Sequence, residues 1–320
     1  MLRSFLIYLS KAAWARRTVT QWKFAWRAAS RFVAGEKLDD ALRVVKSLNA
    51  KGINATLDHL GEHTTTPEKA IQATNDILEI LEAIDIAGVR SNVSIKLSQI
   101  GFALDNDLGS QNLFRILESS KKRGTFIRID MEDSQWVDKT LGLFFRAVQE
   151  CGCENIGVVI QAYLYRSQDD VRKLLLEKAH IRLCKGAYNE PENVAFPKKR
   201  DVDENFDTLT AMLIDGTNAS GSPILSKDGK IPPIPAIATH DGRRIIFARE
   251  YAQGRELPKE AIEFQMLHGI RRDLQESLAN EGYPVRIYVP YGSEWYPYYV
   301  RRLAERPANL WWFLSNLVRR

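Results

Sequence analysis

The sequence has few cysteines and no long apolar run, and each shortage excludes a class of protein. Its three cysteines are Cys151, Cys153 and Cys184, an odd number that cannot form a complete disulfide framework. The first two are one residue apart, which is too close for the usual spacing of zinc ligands. No apolar run approaches the roughly 18 residues that a membrane-spanning helix needs. These features favour a globular protein in a reducing compartment, without a structural metal.

Acidic residues are absent from the first 35 positions, which hold seven Lys or Arg. The net charge of +5 comes from this segment, because the rest of the chain has 38 basic and 40 acidic residues. A nearly neutral body lacks the basic stripe that nucleic-acid binding requires. No nucleic-acid partner is therefore expected.

The two ends of the chain are each predicted to lie outside the main domain. Residues 1–37 form a basic helical arm, because aromatic and aliphatic residues recur at helical spacing among arginines before Gly35. Three interpretations of the arm stay open: a helix packed on the body, a membrane-surface helix or a targeting segment. Residues 310–320 form a short aromatic and basic tail that suits a membrane interface.

Between these ends, residues 38–309 alternate strand and helix patterns. Strand candidates lie at 53–62, 92–98, 125–132, 156–163, 180–188, 235–241, 262–269 and 285–292. Eight such units over about 270 residues predict an α/β fold of the (β/α)8 TIM-type barrel class. The link between the fifth and sixth strands is longer than one helix requires, and its turn signals lead us to expect an extra helix there.

A polar residue closes or nearly closes every predicted strand. These residues are Asp58, Lys96, Asp130, Gln161, Arg182, His240, His268 and Tyr288. In a barrel the carboxyl ends of the strands meet at one face, which carries the active site. Alternation along the second and third strands points Lys96, Arg128 and Asp130 into the barrel. The sequence therefore predicts a polar site at this end.

Two adjacent arginines, Arg301 and Arg302, follow the eighth strand in a helix that begins near Pro297 and ends before Pro307. The predicted helix caps the barrel mouth, which is the end of the barrel formed by the carboxyl ends of the strands. Glu305 lies within helical reach of both arginines. They suit either a surface ion-pair cluster or the clamping of a small carboxylate, because guanidinium groups bind carboxylates bidentately.

A metal-dependent barrel hydrolase is the alternative function. His59 and His63 are four residues apart in DHLGEH, and His240 and Asp58 add further candidate ligands. The pattern argues against it, because His59 alternates away from Asp58 on a strand and His63 follows in a loop.

Motifs on successive strands resemble those of one enzyme family. LDHLGE, SIKLS, RIDMED, VIQAYLYR, RLCKGAY, ATHD, FQMLHGI and YVPYG occur in this order, followed by WYPYYVRRLAERPAN. Together they resemble proline dehydrogenase in its monofunctional bacterial form, over about residues 54–309. The resemblance implies an FAD-dependent oxidoreductase. FAD rests on the resemblance alone, because the chain has no G-x-G-x-x-G motif.

The resemblance also implies roles for individual residues. Asp130 and Arg182 match the catalytic positions. Substrate-binding positions are Lys96, Tyr288, Arg301, Arg302, Leu267 and Tyr188. Glu62 matches a residue that pairs with Arg301 to gate the pocket, and Glu305 one that orients Arg302. Cofactor-binding positions are Met131, Gln161, Arg182, Lys185, Gly186, Ala187, Thr239 and His240.

The implied reaction is the first step of proline catabolism. L-proline would be oxidised to 1-pyrroline-5-carboxylate by hydride transfer from C5 to FAD N5, and a quinone would receive the electrons. An intact Tyr288 favours proline over hydroxyproline, because it crowds a 4-hydroxyl group. The implied location is the cytoplasm, with peripheral contact at the inner face of the membrane, and pyrroline-5-carboxylate dehydrogenase is an expected partner.

Overall fold

The computed structural model describes residues 23–62, 64–152 and 154–305, and eight parallel strands within them close into a barrel. The strands are β1 (Asn54–His59), β2 (Ser91–Ile95), β3 (Ile127–Ile129), β4 (Ile156–Gln161), β5 (His180–Cys184), β6 (Pro235–Ala238), β7 (Glu263–Leu267) and β8 (Val285–Tyr291). Each pairs with the next in sequence, and β8 pairs with β1. The predicted (β/α)8 barrel is confirmed.

Helices separate the strands and cover the barrel. They are α1 (Lys23–Ala29), α2 (Leu38–Asn49), α3 (Pro67–Ala87), α4 (Asn106–Lys122), α5 (Val137–Cys151), α6 (Ser167–Leu176), α7 (Lys199–Ala219), α8 (Gly242–Gly254), α9 (Arg272–Asn280) and α10 (Trp295–Glu305). Local sequence sets their ends: Thr66 caps α3 by accepting from the Lys69 amide, next to Pro67 at the first helical position. Apolar residues of strands and helices form the layer between them.

The prediction of an extra helix between β5 and β6 is wrong. The structure has one 21-residue helix, α7, and then the non-helical segment 220–234. This segment contacts the closed end of the barrel, by which we mean the end opposite the mouth, where the strands begin. There the Gly229 carbonyl accepts a hydrogen bond of 2.7 Å from Arg286 Nη2, and the Lys230 carbonyl accepts from Asn92. The additional length supplies backbone acceptors to buried strand residues instead of a helix.

The described part of the N-terminal arm packs on α10. The Trp26 and Trp295 rings meet edge to face with centroids 5.4 Å apart, and Phe32 lies 6.3 Å from Tyr299. The backbone after α1 also approaches Gly269 so closely that a Cβ there would lie 1.7 Å from the Arg31 carbonyl oxygen. The described part of the arm, residues 23–37, thus lies against the barrel domain, and the division of the chain into arm, barrel and tail stays a prediction. Residues 1–22 and the predicted tail 310–320 lie outside the described ranges.

No helix within the described ranges has both the length and the apolar character to cross a membrane.

Acid should destabilise the fold through His180 at the start of β5. Burial, and then the nearby Arg128 guanidinium, lower the pKa of His180 from 6.5 to about 4. The unfolded chain therefore binds a proton more readily, so this contribution to stability is complete above pH 6.5 and is lost as the pH falls towards 4. Between about pH 7.5 and pH 5 we expect His180 to account for about 1 to 2 kcal/mol of lost stability.

Urea unfolding of the wild type and of His180→Gln at both pH values tests this expectation. The variant should lose less stability on acidification than the wild type, by that amount. An equal loss in both proteins would exclude His180 as the source.

Candidate active site

Lys96 lies among carboxylates at the barrel mouth. Its Nζ is 3.0 Å from Asp58 Oδ1, 3.5 Å from Asp130 Oδ2 and 3.9 Å from Glu62 Oε1, and it donates to the Tyr288 hydroxyl at 3.4 Å. Lys96 follows β2 directly and faces inward, as alternation predicts. The side chains come from β1, β2, β3 and β8, so barrel closure brings together residues that are far apart in sequence.

Asp130 links Lys96 to Arg182. Its Oδ1 accepts from Arg182 Nη1 at 2.8 Å, and its Oδ2 accepts from the Tyr288 hydroxyl at 2.7 Å. Arg182 Cζ also lies 5.3 Å from the centroid of the Tyr288 ring, within the range of a cation–π contact. Asp130 therefore contacts Lys96, Arg182 and Tyr288, three of the other seven strand-end polar residues that the sequence predicts at the mouth.

The acidic and basic side chains of the cluster around Lys96 pair with one another. Three carboxylates and three cations meet here: Asp58, Glu62, Asp130, Lys96, Arg182 and Arg301. Such a site can take a zwitterion of zero net charge without leaving a buried charge unpaired. An amino acid fits this condition.

Protonation states in the cluster follow from burial and neighbours. Burial lowers the pKa of Lys96, but Asp58 and its other anionic neighbours outweigh that effect and hold the pKa well above its usual value. Burial, followed by the charges of Asp130 and Asp58, raises the pKa of the Tyr288 hydroxyl. Lys96 thus stays charged, and Tyr288 stays a hydrogen-bond donor to Asp130.

Glu62 and Arg301 close one side of the mouth. Arg301 Nη2 donates to Glu62 Oε1 at 2.8 Å, which joins the loop after β1 to α10. Tyr188 lies close enough to Glu62, Lys96 and Arg301 for their charges to act on its hydroxyl. Burial has the largest effect and raises the pKa of Tyr188 above its usual value. The structure contains the ion pair that the resemblance implies, and its role as a gate stays a prediction.

Arg302 and Glu305 have a different outcome. Arg302 Cζ lies 5.1 Å from the centroid of the Tyr298 ring on the same helix. The side chain of Glu305 is outside the described part of the chain, so its pairing with Arg302 stays a prediction. Arg301 contacts the charged cluster through Glu62.

The predicted cofactor positions surround the same end of the barrel. Gln161 donates through Nε2 to the Met131 and Glu132 carbonyls at 3.5 and 3.3 Å, whereas its buried Oε1 has no hydrogen-bond partner within the described ranges. Leu267 donates its amide to His240 Nε2 at 3.0 Å, and the Thr239 hydroxyl accepts from the Asp241 amide. These contacts fix the end of β4 to the segment after β3, and the segment after β6 to the end of β7.

After β5, the backbone turns through Lys185, Gly186 and Ala187. Gly186 has φ +112°, and a Cβ there would lie 2.5 Å from the Tyr163 ring, so the turn requires glycine. Lys185 Nζ pairs with Asp203 and, at 2.8 Å, with Asp241. Ala187 is exposed. The unsatisfied Gln161 oxygen fits the imide N–H donor of a flavin, and the cationic Arg182 fits the negative charge that a flavin accumulates. The glycine turn is also compatible with a flavin. Lys185 is held in place by its two carboxylate partners.

Cys184 adds no reactive thiol to this region. It lies at the end of β5, and burial raises its pKa to about 12, an effect that the nearby Arg182 opposes only in part. The thiolate is the nucleophilic form, so Cys184 is inert at neutral pH.

Several residues that shape the site have no assignment from the sequence. Arg182 Nη2 donates to the Ser94 hydroxyl at 3.1 Å, and Arg182 Nε donates to Gln265 Oε1 at 2.6 Å. Asp58, which lies 3.0 Å from Lys96, has a role in the sequence analysis only as a strand-end carboxylate and a candidate metal ligand. Alternation in SIKLS and EFQML indicates that Ser94 and Gln265 face inward, but nothing in a single sequence pairs them with Arg182.

The metal-dependent hydrolase is not supported. His59 points away from the interior, stacks on Tyr291 and has its Nδ1 3.6 Å from Asp76 Oδ2 on α3, whereas His240 binds the Leu267 amide. His63 lies outside the described residues. Within the described ranges, no group of three or more His, Cys, Asp or Glu is arranged to hold a metal ion.

Comparison with known proteins agrees with the resemblance. The family model described as proline dehydrogenase matches residues 41–311. The proline dehydrogenase of Deinococcus radiodurans is 42% identical over 297 residues, which are 92% of this chain and 91% of that protein. Proline dehydrogenase 1 of Bacillus subtilis is 38% identical and is covered, like this chain, over 100% of its length.

A longer solved structure shares the barrel. Proline utilization A from Bdellovibrio bacteriovorus superposes with a TM-score of 0.80 at 25% identity, over 92% of this chain and 34% of that one. This chain thus corresponds to about a third of that protein. The match to the family model and the full-length relatives together decide the assignment: this chain belongs to the proline dehydrogenase family.

Proposed function

We propose that this protein oxidises L-proline to 1-pyrroline-5-carboxylate with FAD as its cofactor, as the first step of proline catabolism. The observation that carries the proposal is the network of Lys96, Asp130, Arg182 and Tyr288 beneath the Glu62–Arg301 ion pair. It combines fixed cations for a carboxylate with fixed anions for an amine. Membership of the proline dehydrogenase family supports the reaction.

Proline would bind between the ion pair and the network. Arg301 and Arg302 would bind its carboxylate, because guanidinium groups offer paired N–H donors of fixed geometry. Leu267 and Tyr288 are in register on neighbouring strands, and with Tyr188 they would form the walls around the ring. A fixed ring orientation is the main requirement for transfer from a single carbon atom.

Proline must lose the proton of its ammonium group before oxidation, and the cations at the mouth favour that loss. Lys96 stays protonated, and Arg182 contacts Asp130 on its other side. The carboxylates of the cluster would receive proline as a zwitterion, and Lys96 and Arg182 would lower the pKa of the bound ammonium group, so that it loses its proton before the hydride leaves C5. Asp130 would orient the amine while its own charge is shared between Arg182 and Tyr288.

FAD, when bound, supplies the two-electron acceptor that no amino-acid side chain provides. Gln161 would accept from the flavin ring through its unsatisfied oxygen, and Arg182 would stabilise negative charge at the reacting face. Met131, Thr239 and His240 would line the cofactor site. Lys185, oriented by Asp203 and Asp241, would face the phosphates with Gly186 and Ala187.

The partners follow from this chemistry. We propose a quinone as the electron acceptor, reached by peripheral contact with the inner face of the membrane from the cytoplasm. Pyrroline-5-carboxylate dehydrogenase would consume the product. Bifunctional protein PutA of Escherichia coli, which is 29% identical over 87% of this chain and 23% of its own length, supports coupling to a second activity.

The purified protein should be yellow, and proline added without oxygen should bleach the flavin absorbance. Hydroxyproline should bleach it much more slowly, because Tyr288 crowds the 4-position. The measurement is the visible spectrum during anaerobic titration. A colourless protein that gains hydrolase activity with added zinc would overturn the proposal.

A further inference from the structure

A continuous row of buried hydrogen bonds connects Arg182 to the closed end of the barrel. Gln265 accepts from Arg182 Nε at 2.6 Å and donates through Nε2 to Glu263 Oε1 at 2.5 Å. Glu263 accepts twice from Arg286 Nε, at 2.9 and 3.1 Å, and both side chains have no exposed surface. Arg286 is bound in turn to the carbonyls of Ala55 and Gly229. The row therefore ends on fixed backbone.

Strand register explains how Arg182 reaches across the barrel. Arg182 on β5 is in register with Ala236 on β6, and Ala236 is in register with Glu263 on β7. The alanine on the intervening strand leaves room for the arginine side chain to pass towards β7. Glu263 and Gln265 are two residues apart and face the same way, so β7 presents a carboxylate and an amide in succession.

The orientation of the Gln265 amide follows from its neighbours. Glu263 is an acceptor paired with Arg286, so it takes the Gln265 NH₂ group. The amide oxygen must then face Arg182, which can only donate. A flipped amide would set oxygen against carboxylate and NH₂ against guanidinium. Glu263 thus selects the one orientation that accepts from Arg182.

We propose that Gln265 is a positioning residue that fixes the rotation of the Arg182 guanidinium group and so keeps its positive charge at the cofactor face. Three different acceptors then hold the three guanidinium nitrogens: Gln265 takes Nε, Ser94 takes Nη2 and Asp130 takes Nη1. Without the contact to Nε, the group is free to turn towards a two-point contact with Asp130, the stronger arrangement for a carboxylate. That movement would withdraw charge from the cofactor.

The inference rests on the proposed function, because Arg182 is the cation proposed to face the flavin. The positioning role of Gln265 predicts an effect on electron acceptance by the flavin with little effect on proline binding. Within the described ranges, the partners of Lys96 and Arg301 include Asp58 and Glu62 but not Gln265. A loss of positive charge near a flavin disfavours its reduced form. The midpoint potential should therefore fall.

Gln265→Met tests this, because methionine fills similar space without accepting a hydrogen bond from Arg182. We expect a tenfold shift in the flavin reduction equilibrium, which is about 30 mV for a two-electron couple. We also expect a roughly tenfold lower kcat and a KM for proline within about threefold of the wild type. Gln265→Asn, which is shorter and polar, should act in the same direction and provides a second variant if the methionine protein does not fold.

Thr210→Val is the matched control. Thr210 is fully buried on α7 and donates to the Phe206 carbonyl at 2.8 Å, so the change removes a buried hydrogen bond away from Arg182. Its potential and kinetics should equal those of the wild type. An unchanged potential in either flavin-loaded Gln265 variant overturns the inference. A wild-type protein that binds no flavin overturns the proposed function, and the inference with it.

Discussion

Replacing Arg182 with methionine should lower kcat for proline oxidation by about 1,000-fold. The change removes the cation proposed to stabilise charge on the cofactor, and loss of one such electrostatic contact typically costs 10²- to 10³-fold. It also removes the partner of Asp130, which then lies beside Tyr288 with less of its charge compensated. Steady-state kinetics and flavin content per chain measure the effect, because a variant that retains its flavin separates chemistry from cofactor loss.

Arg182→Lys distinguishes charge from geometry. Lysine keeps the charge but offers one ammonium group in place of a planar fork, and it cannot serve Asp130, Ser94 and Gln265 together. We expect kcat to fall about 100-fold, which places the kcat of the lysine variant between that of the wild type and that of the methionine variant. Arg249→Met is the control for loss of an ion-paired arginine, because Arg249 pairs with Glu281 on the outside of the barrel. A methionine variant with normal kcat and a raised KM would make Arg182 a ground-state binding residue.

Asp130 and Arg182 should act as one unit. Asp130→Asn alone breaks the ion pair, so adding it to Arg182→Met should lower kcat by far less than the product of the two single effects. Fully multiplied losses would mean that the two residues act on separate steps.

The barrel was predictable because its evidence is local. Strand periodicity and helical spacing repeat eight times, and alternation decides which side chains face inward. It therefore placed Lys96 and Asp130 at the mouth, and barrel closure brought them within 3.5 Å of each other. The predicted strands are too long at their ends: within residues 125–132, only Ile127–Ile129 form a strand. Asp130 still donates its amide to the Ile95 carbonyl at 2.8 Å, but its side chain and those that follow belong to the site.

What the sequence could not supply depends on contacts across the barrel. The partners of Arg182 come from β2, β3 and β7, at separations of 52 to 88 residues, and no pattern in one chain pairs them. The length of the link before β6 predicted an extra helix that the structure does not have. Its Gly229 instead gives Arg286 a backbone acceptor, and this partner lies 57 residues away in sequence. The proposed flavin could not be predicted from residue patterns either, since the chain has no G-x-G-x-x-G motif.

The second large effect concerns the arginine pair on α10. Arg302→Ala should raise the KM for proline by roughly 100-fold and leave the flavin bound, because a charge-assisted contact to a carboxylate contributes about 1.5 to 3 kcal/mol. Arg302→Lys should recover part of the loss, since it restores the charge without the fork. Steady-state kinetics with flavin content per chain measures both.

Pyrrolidine, which is proline without its carboxylate, isolates the contact. In the wild type it should be a far poorer substrate than proline, and Arg302→Ala should reduce that preference by the same factor by which it weakens proline. Glu62→Gln serves as the matched change on the opposite side: it releases Arg301 from its 2.8 Å ion pair and keeps the Arg302 guanidinium group in the chain, so the preference for proline should persist. If Arg302→Ala leaves both KM and the preference unchanged, Arg302 has a structural role, such as its contact with the Tyr298 ring, and does not bind the carboxylate.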